Sequence, residues 1–201
     1  MKNKAVLYIH GKGGSANESE AYKPLFDDCD VAGLDYKTFT PWETGKEIYE
    51  EAVKLKEKYE SIILIANSIG ALFSMYAGID NIIDEAFFIS PIVDMEKLIT
   101  GMMYRERVTE EELQRKGKIK TASGEELSYE YLCYVRKRPV KWNVKTHIAC
   151  GSLDTLTDVG TMTVFAEKHN ADLSVMENGE HWFHTEKQME FLFEWIKKQG
   201  K

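Results

Sequence analysis

Short apolar segments recur along the chain, and most of them are separated by segments with helical periodicity. Most of the apolar segments lack alternation between polar and apolar positions, which is typical of strands that are covered on both faces of a sheet. These segments predict six strands, at residues 5–10, 31–36, 61–66, 85–90, 146–151 and 172–177.

The segments between these strands show the spacing of amphipathic helices. Ile48, Ala52 and Leu55 fall on one helical face, with Tyr59 a turn further on. Further helices are predicted at 69–82, around Val159, Met162 and Ala166, and around Met189, Leu192, Phe193 and Ile196. Candidate capping boxes are Thr44 with Glu47, Thr109 with Glu112, and Thr185 with Gln188.

Strands that alternate with helices predict a parallel sheet joined by right-handed crossovers. In such sheets, ligands bind beyond the carboxyl ends of the strands. Polar residues that directly follow the predicted strands are therefore the candidates for chemistry.

One region, residues 93–145, breaks the alternation because it is too long for a single crossover. It predicts helices at 94–103, 109–116 and 128–137, with a turn at Ser123-Gly124. We interpret it as a cap or lid inserted over the mouth of the sheet, and the alternative is a peripheral helical decoration. The prediction is a single domain whose core is 1–92 and 146–201, with 93–145 as the insertion.

The composition narrows the class of protein. The chain has 201 residues, of which 43% are hydrophobic and 29% charged, as in a globular domain. The formal net charge of -7 argues against nucleic-acid binding by broad neutralisation of phosphates. We expect a small-molecule substrate, and nothing in the sequence predicts the oligomeric state.

The cysteines and the apolar segments bear on the cellular location. Cys29, Cys133 and Cys150 are widely spaced and contain no CxxC pair, so they predict reduced thiols rather than disulfides or a zinc site. The apolar run at 5–9 is too short for the core of a signal peptide, and no segment approaches the length of a membrane span. We expect a cytoplasmic protein without a membrane span.

Ser68 follows the third predicted strand in the sequence ANSIG. One interpretation is a helix N-cap, since a serine hydroxyl accepts a free backbone N–H at a helix start. The other is the nucleophile of a strand–turn–helix elbow, which requires small residues on either side of the turn. Ala66 and Gly70 satisfy that requirement, with alanine in the place of the usual first glycine.

The loop HGKGGS, residues 10–15, directly follows the first strand. A phosphate-binding loop is disfavoured because Lys12 is followed by Gly13 and no glycine precedes it at the required spacing. The loop can instead form an oxyanion hole from backbone N–H groups, or it can be a flexible turn.

Two acidic residues and two histidines follow the last two strands. Asp154 lies a few residues after the fifth strand and can orient a histidine, whereas Asp158 can instead cap the next helix. His181 is the candidate general base, with His184 as its rival. The sequence defines no third ligand for a metal site at this histidine pair.

The order Ser68, Asp154, His181 is the Ser…Asp…His order of the α/β-hydrolases. With the segments HGKGG, ANSIG, GSLD and GEHWF, the sequence resembles the serine hydrolases of that family, and most closely small cap-bearing carboxylesterases or lipases. The resemblance implies a three-layer fold whose mostly parallel six-stranded sheet has the order 2-1-3-4-5-6. It also implies Ser68 as nucleophile, His181 as base and Asp154 as acid.

The same resemblance implies an oxyanion hole made by the backbone N–H groups of Lys12 and Ile69. It implies cleavage of a small carboxylic ester, with no metal or organic cofactor. A thioesterase, an amidase or a peptidase would use the same triad, and a non-catalytic binding protein could retain the fold. These alternatives stay open at the level of sequence.

Overall fold

The computed structural model describes residues 2–200. Within them, the strands are β1 Lys4–Ile9, β2 Cys29–Leu34, β3 Ser61–Asn67, β4 Glu85–Ile89, β5 Lys118–Lys120, β6 Glu126–Ser128, β7 Lys145–Gly151 and β8 Asp172–Met176. The α-helices are α1 Pro41–Lys56, α2 Ile69–Tyr76, α3 Met95–Glu106, α4 Glu110–Lys116, α5 Tyr129–Lys137, α6 Val159–His169 and α7 Glu186–Gln199, and Ala16–Leu25 forms a 3₁₀ helix.

Six of the strands form one sheet in the order β2-β1-β3-β4-β7-β8, and every neighbouring pair is parallel. The predicted order 2-1-3-4-5-6 omitted β5 and β6, which pair only with each other in a separate antiparallel hairpin. The omission changes the numbers of the last two strands of the sheet, and the predicted fold class holds.

Helices cover both faces of the sheet, as the strand side chains show. Val6 and Tyr8 belong to a buried cluster that includes Trp195 and Ile196 of α7. Ile9 alternates with them and therefore faces the other side, where it lies against α2. This three-layer arrangement explains why the inner strands β1, β3, β4 and β7 are mostly apolar, since both of their faces are removed from water.

Several predicted boundaries differ from the observed ones. Helix α1 begins earlier than the predicted capping box of Thr44 with Glu47 implied. Thr40 is its N-cap, and Pro41 occupies its first turn, a position that suits proline. Helix α2 ends at Tyr76 rather than near residue 82, and Gly78 soon after it has a φ of 71°. The capping box of Thr185 with Gln188 is confirmed, and Thr109 caps α4 by accepting the Glu112 N–H.

The chain divides into two compact units. The first contains the six-stranded sheet, and the second is Asp94–Val140. The second unit has its own fully buried leucines, Leu113, Leu127 and Leu132. Among the described residues, no helix is both long and apolar enough to cross a membrane.

Candidate active site

Ser68 stands alone between β3 and α2, on a strained backbone turn. Its φ of 52° and ψ of -119° lie outside the regions that non-glycine residues prefer. The turn is held by hydrogen bonds from the Ser68 N–H to the Ile89 carbonyl, 2.9 Å, and from the Ile92 N–H to the Ser68 carbonyl, 3.1 Å. The Ser68 side chain makes no capping hydrogen bond to α2, so the N-cap interpretation of its hydroxyl is wrong.

Small residues let α2 start against β1. A Cβ placed on Gly70 would lie 2.4 Å from the His10 carbonyl oxygen and 2.8 Å from the Ile9 carbonyl oxygen. Ala66, on the strand side of the turn, is fully buried. The spacing of small residues around Ser68 is thus a packing requirement of this turn.

The structure brings Ser68, His181 and Asp154 together in a chain of hydrogen bonds. Ser68 Oγ lies 2.8 Å from His181 Nε2, and His181 Nδ1 lies 2.7 Å from Asp154 Oδ2. A carboxylate can only accept, so Nδ1 carries the proton and Nε2 is left to accept from the serine hydroxyl. The His181 side chain is 18% exposed and that of Asp154 is fully buried.

The second oxygen of Asp154 is also satisfied. Asp154 Oδ1 accepts the backbone N–H groups of Leu156 at 2.8 Å and Thr157 at 3.0 Å. These hydrogen bonds fix the orientation of the carboxylate. Asp158 instead caps α6 by accepting the Thr161 N–H, as the alternative interpretation of that residue predicted.

His184, the rival histidine, lies outside this chain of hydrogen bonds. Its Nδ1 is 2.7 Å from the Trp182 carbonyl oxygen, and its side chain is 39% exposed. Its imidazole stacks on the Trp182 indole, with ring centroids 4.3 Å apart.

The loops that carry Asp154 and His181 are joined through their backbones. The Leu153 N–H donates to the Gly179 carbonyl at 2.8 Å, and the Ser152 N–H donates to the Met176 carbonyl at 2.9 Å. The sequence analysis did not single out Gly151 and Gly179, although each precedes one of the two site residues by two or three positions.

The glycine-rich loop after β1 lies beside Ser68. A Cβ on Gly11 would be 3.1 Å from the Ser68 Cβ. The Gly14 N–H donates to the Gly11 carbonyl at 3.2 Å, and Gly13 has a φ of 77°. A hydrogen bond between the first and fourth residues, with positive φ at the third, describes a type II turn with Lys12 at its second position.

His10 holds the first peptide of this turn, a role that the sequence analysis missed. His10 Nδ1 lies 2.7 Å from the Gly11 carbonyl oxygen, so it donates its proton there. The imidazole is 4% exposed and stacks almost parallel on Tyr36, whose hydroxyl donates to the His10 carbonyl at 2.9 Å. In a trans peptide the N–H points opposite to the carbonyl, so the bonds to the Gly11 carbonyl also fix the direction of the Lys12 N–H.

The two buried cysteines, Cys29 and Cys150, are poor candidates for a nucleophile. Burial, and to a lesser extent the charge of Asp154, raises the pKa of the Cys150 thiol to about 11. Burial and the neighbouring Asp28 likewise raise the pKa of Cys29 to about 11. A thiol with such a pKa is almost entirely protonated near neutral pH and is therefore unreactive. Within residues 2–200, no group of three or more His, Cys, Asp or Glu side chains is arranged to hold a metal ion.

Solved structures similar to this chain share its fold throughout. Est1E from Butyrivibrio proteoclasticus matches with a TM-score of 0.78 at 16% identity, over 99% of this chain and 87% of that one. Mouse α/β-hydrolase domain-containing protein 10 matches with a TM-score of 0.73 at 14% identity, over 97% of this chain and 88% of that one. A monoacylglycerol lipase from Paleococcus ferrophilus matches with a TM-score of 0.65 at 15% identity, over 96% of this chain and 94% of that one.

These likenesses establish that the chain has the α/β-hydrolase fold, as the resemblance of its motifs implied. No protein-family model matches the sequence, and a search of curated proteins finds no match. At such low identity the shared feature is the fold, and the activity has to be argued from the site itself.

Proposed function

We propose that this protein is a serine hydrolase that cleaves a small carboxylic ester through an acyl-enzyme. The observation that carries the proposal is the continuous chain of hydrogen bonds from Ser68 through His181 to Asp154, at 2.8 Å and 2.7 Å. The strained turn at Ser68 supports it, because strain of this kind persists where function requires it. One similar structure is also a lipase by name.

The reaction would proceed by two acyl transfers. Ser68 Oγ attacks the ester carbonyl carbon while His181 Nε2 takes the hydroxyl proton. The tetrahedral intermediate collapses, the bond to the alcohol oxygen breaks, and His181 returns the proton to the departing alcohol. Water then attacks the acyl-enzyme with the same proton transfers and releases the acid. Asp154 holds the imidazole in its Nδ1–H tautomer and stabilises its charged form.

We propose the backbone N–H groups of Ile69 and Lys12 as the donors to the oxyanion. Ile69 is the first residue of α2, and the first N–H groups of a helix have no acceptor within it. Gly11, the residue before Lys12, lies against the Ser68 side chain. Two such donors next to the serine would stabilise charge that develops only in the transition state.

The proposal is tested first by labelling and then by substrates. A fluorophosphonate probe should label the wild-type chain and should fail to label Ser68→Ala. His181→Ala should lose roughly 10⁴-fold or more in turnover of p-nitrophenyl acetate, whereas His184→Ala should lose far less. An unlabelled wild type would indicate a binding protein instead of an enzyme. A panel of matched esters, thioesters and amides then separates the hydrolase classes that share this triad.

We further propose that the unit Asp94–Val140 serves as a cap that selects the acyl group. In the sequence, this unit is inserted between β4 and β7, two strands of the sheet whose loops carry the candidate site. An insertion at this position can vary without disturbing the triad, so it is suited to setting specificity.

A further inference from the structure

Trp182 is unusually exposed for a tryptophan. Its relative exposure is 69%, whereas Trp142 and Trp195 are 1% and 5% exposed. Indole is a large apolar group, so leaving it in water forfeits favourable burial. An exposed tryptophan next to a candidate catalytic histidine is therefore a feature that packing within the chain does not explain.

The exposed indole is nevertheless held in place. It stacks on the His184 imidazole at a centroid distance of 4.3 Å and an interplanar angle of 21°. His184 is itself anchored at both ends, because Nδ1 lies 2.7 Å from the Trp182 carbonyl oxygen and the backbone N–H donates to Gln188 Oε1 at 3.0 Å. Gln188 is 5% exposed and forms the capping box of α7. Because these contacts already order the indole, a ligand that stacks on it loses less free energy to immobilising the side chain.

The position of Trp182 in the proposed reaction identifies the part of the substrate it can contact. His181 must return a proton to the departing alcohol, so the alcohol oxygen lies within hydrogen-bond reach of His181 Nε2. Trp182 directly follows His181, so its Cα lies about 3.8 Å from that of the residue that would protonate the alcohol. Its exposed indole is the large apolar group next to His181 in the chain, and this adjacency is the basis for assigning it to the alcohol side. Leu153 and Leu156, on either side of Asp154, are also exposed, at 56% and 45%.

We propose that the Trp182–His184 stack is the binding platform for the alcohol part of the ester, and that it selects aromatic or flat apolar alcohols. This inference rests on the proposed function. A flat ring can lie on the indole face and remove both surfaces from water, which a short alkyl alcohol does to a much smaller extent. The acyl part is directed elsewhere, because it stays bonded to Ser68 after the alcohol has left.

The test compares esters that share an acetyl group and differ in the alcohol. Benzyl acetate, 1-naphthylmethyl acetate and ethyl acetate have alkoxide leaving groups of similar basicity, so differences between them report contacts and not reactivity. The variants are Trp182→Ala and Trp182→Phe. The matched control is Val164→Ala, an equally exposed apolar residue at 66% on α6.

We expect Trp182→Ala to lower kcat/KM about tenfold for the two arylmethyl esters and less than about twofold for ethyl acetate. Trp182→Phe should retain most of the aromatic preference, and Val164→Ala should resemble the wild type. Equal losses on all three esters would mean that Trp182 has only a structural role. A change in preference along an ethyl acetate to ethyl hexanoate series would place the indole on the acyl side. Either result overturns the proposal.

Fluorophosphonate labelling keeps this test separate from that of the proposed function. A wild type that is neither labelled nor active on any ester contradicts the serine hydrolase itself. A labelled and active wild type whose preference for arylmethyl esters is unchanged in Trp182→Ala contradicts the platform alone.

Discussion

Gly151 and Gly179 are in backbone contact: a Cβ added to Gly151 would lie 2.1 Å from the Gly179 carbonyl oxygen. Gly151 ends β7, before the loop with Asp154, and Gly179 lies in the loop that leads to His181. No side chain larger than hydrogen fits at Gly151 without moving one loop away from the other. The loops that carry His181 and Asp154, whose side chains are 2.7 Å apart, are therefore packed backbone to backbone at two glycines that take no part in that hydrogen bond.

We expect Gly151→Ala to lower ester turnover by roughly 10²-fold, because a displacement of about 1 Å in a catalytic group has costs of that size. It should also reduce the free energy of unfolding by about 1–3 kcal/mol through overpacking. Both are measured by p-nitrophenyl acetate kinetics and urea denaturation. Gly101→Ala is the control, since the nearest neighbour of its added Cβ is 4.0 Å away. Wild-type turnover in Gly151→Ala would show that the loops tolerate separation.

Asp154→Asn should keep the fold and lose turnover by about 10⁴-fold. The asparagine oxygen can still accept the N–H groups of Leu156 and Thr157. Its NH₂ group then faces His181 and donates to Nδ1, which moves the imidazole proton to Nε2 and prevents acceptance from Ser68. Steady-state kinetics and a thermal melt are the measurements. Turnover within tenfold of wild type would contradict the assigned role of Asp154.

Lys12→Pro removes one proposed oxyanion donor without changing the turn, because the second position of a type II turn suits proline. We expect kcat to fall by about 10²–10³-fold, as when an oxyanion donor is removed. Lys12→Ala keeps the N–H and should retain nearly full kcat. If the two variants have equal kcat and equal melting temperatures, the donor lies elsewhere.

Cys150 should make the protein less stable at alkaline pH. Its folded-state pKa is raised from 9.0 to about 11, chiefly by burial. The thiol is protonated in both states below pH 9, and above it the unfolded chain ionises first. Stability is therefore lost as pH rises from about 9 through about 11, by on the order of 2 kcal/mol.

Cys150→Ala isolates this effect from the other alkaline titrations. Urea denaturation at pH 8, 9, 10 and 11 should show a smaller decrease in the free energy of unfolding for the variant than for the wild type. Parallel curves for the two proteins would argue against a raised pKa. Iodoacetamide at pH 8 should leave Cys150 unmodified in the folded protein.

Arg136 is the residue to change in order to test the cap. From α5 it reaches Glu96 of α3 at 2.7 Å and Glu110 of α4 at 2.6 Å, so it links three helices of the second unit. Arg136→Ala should speed proteolysis within 94–140 and alter the preference for acyl length, while fluorophosphonate labelling of Ser68 stays within about threefold. Lys137→Ala, beside it on the same helix, is the control. Faster proteolysis with an unchanged acyl preference would remove the cap from substrate selection.

Local rules in the sequence predicted much of the architecture. The four inner strands of the sheet, β1, β3, β4 and β7, were recognisable because strands buried on both faces are mostly apolar. The edge strands β2 and β8 are partly exposed and carry polar residues, and they were recognised from shorter apolar runs. The caps at Thr109, Asp158 and Thr185 were recognisable because a cap acts within three residues of itself. The hairpin β5–β6 was missed because strands of three residues carry too little pattern to detect.

The sequence by itself determined which residue types follow which strand, and hence the short set of candidates for the site. Only the tertiary structure shows that His181 and Asp154 form one chain of hydrogen bonds with Ser68 and that His184 and Asp158 lie outside it. The residue types alone could not show this, because the members of each pair are chemically alike and only a few positions apart. The backbone contact between the two loops at Gly151 and Gly179 is one such long-range feature of the site. The same holds for His10, because the sequence does not show that Tyr36, 26 residues further on, stacks on its imidazole and donates to its carbonyl.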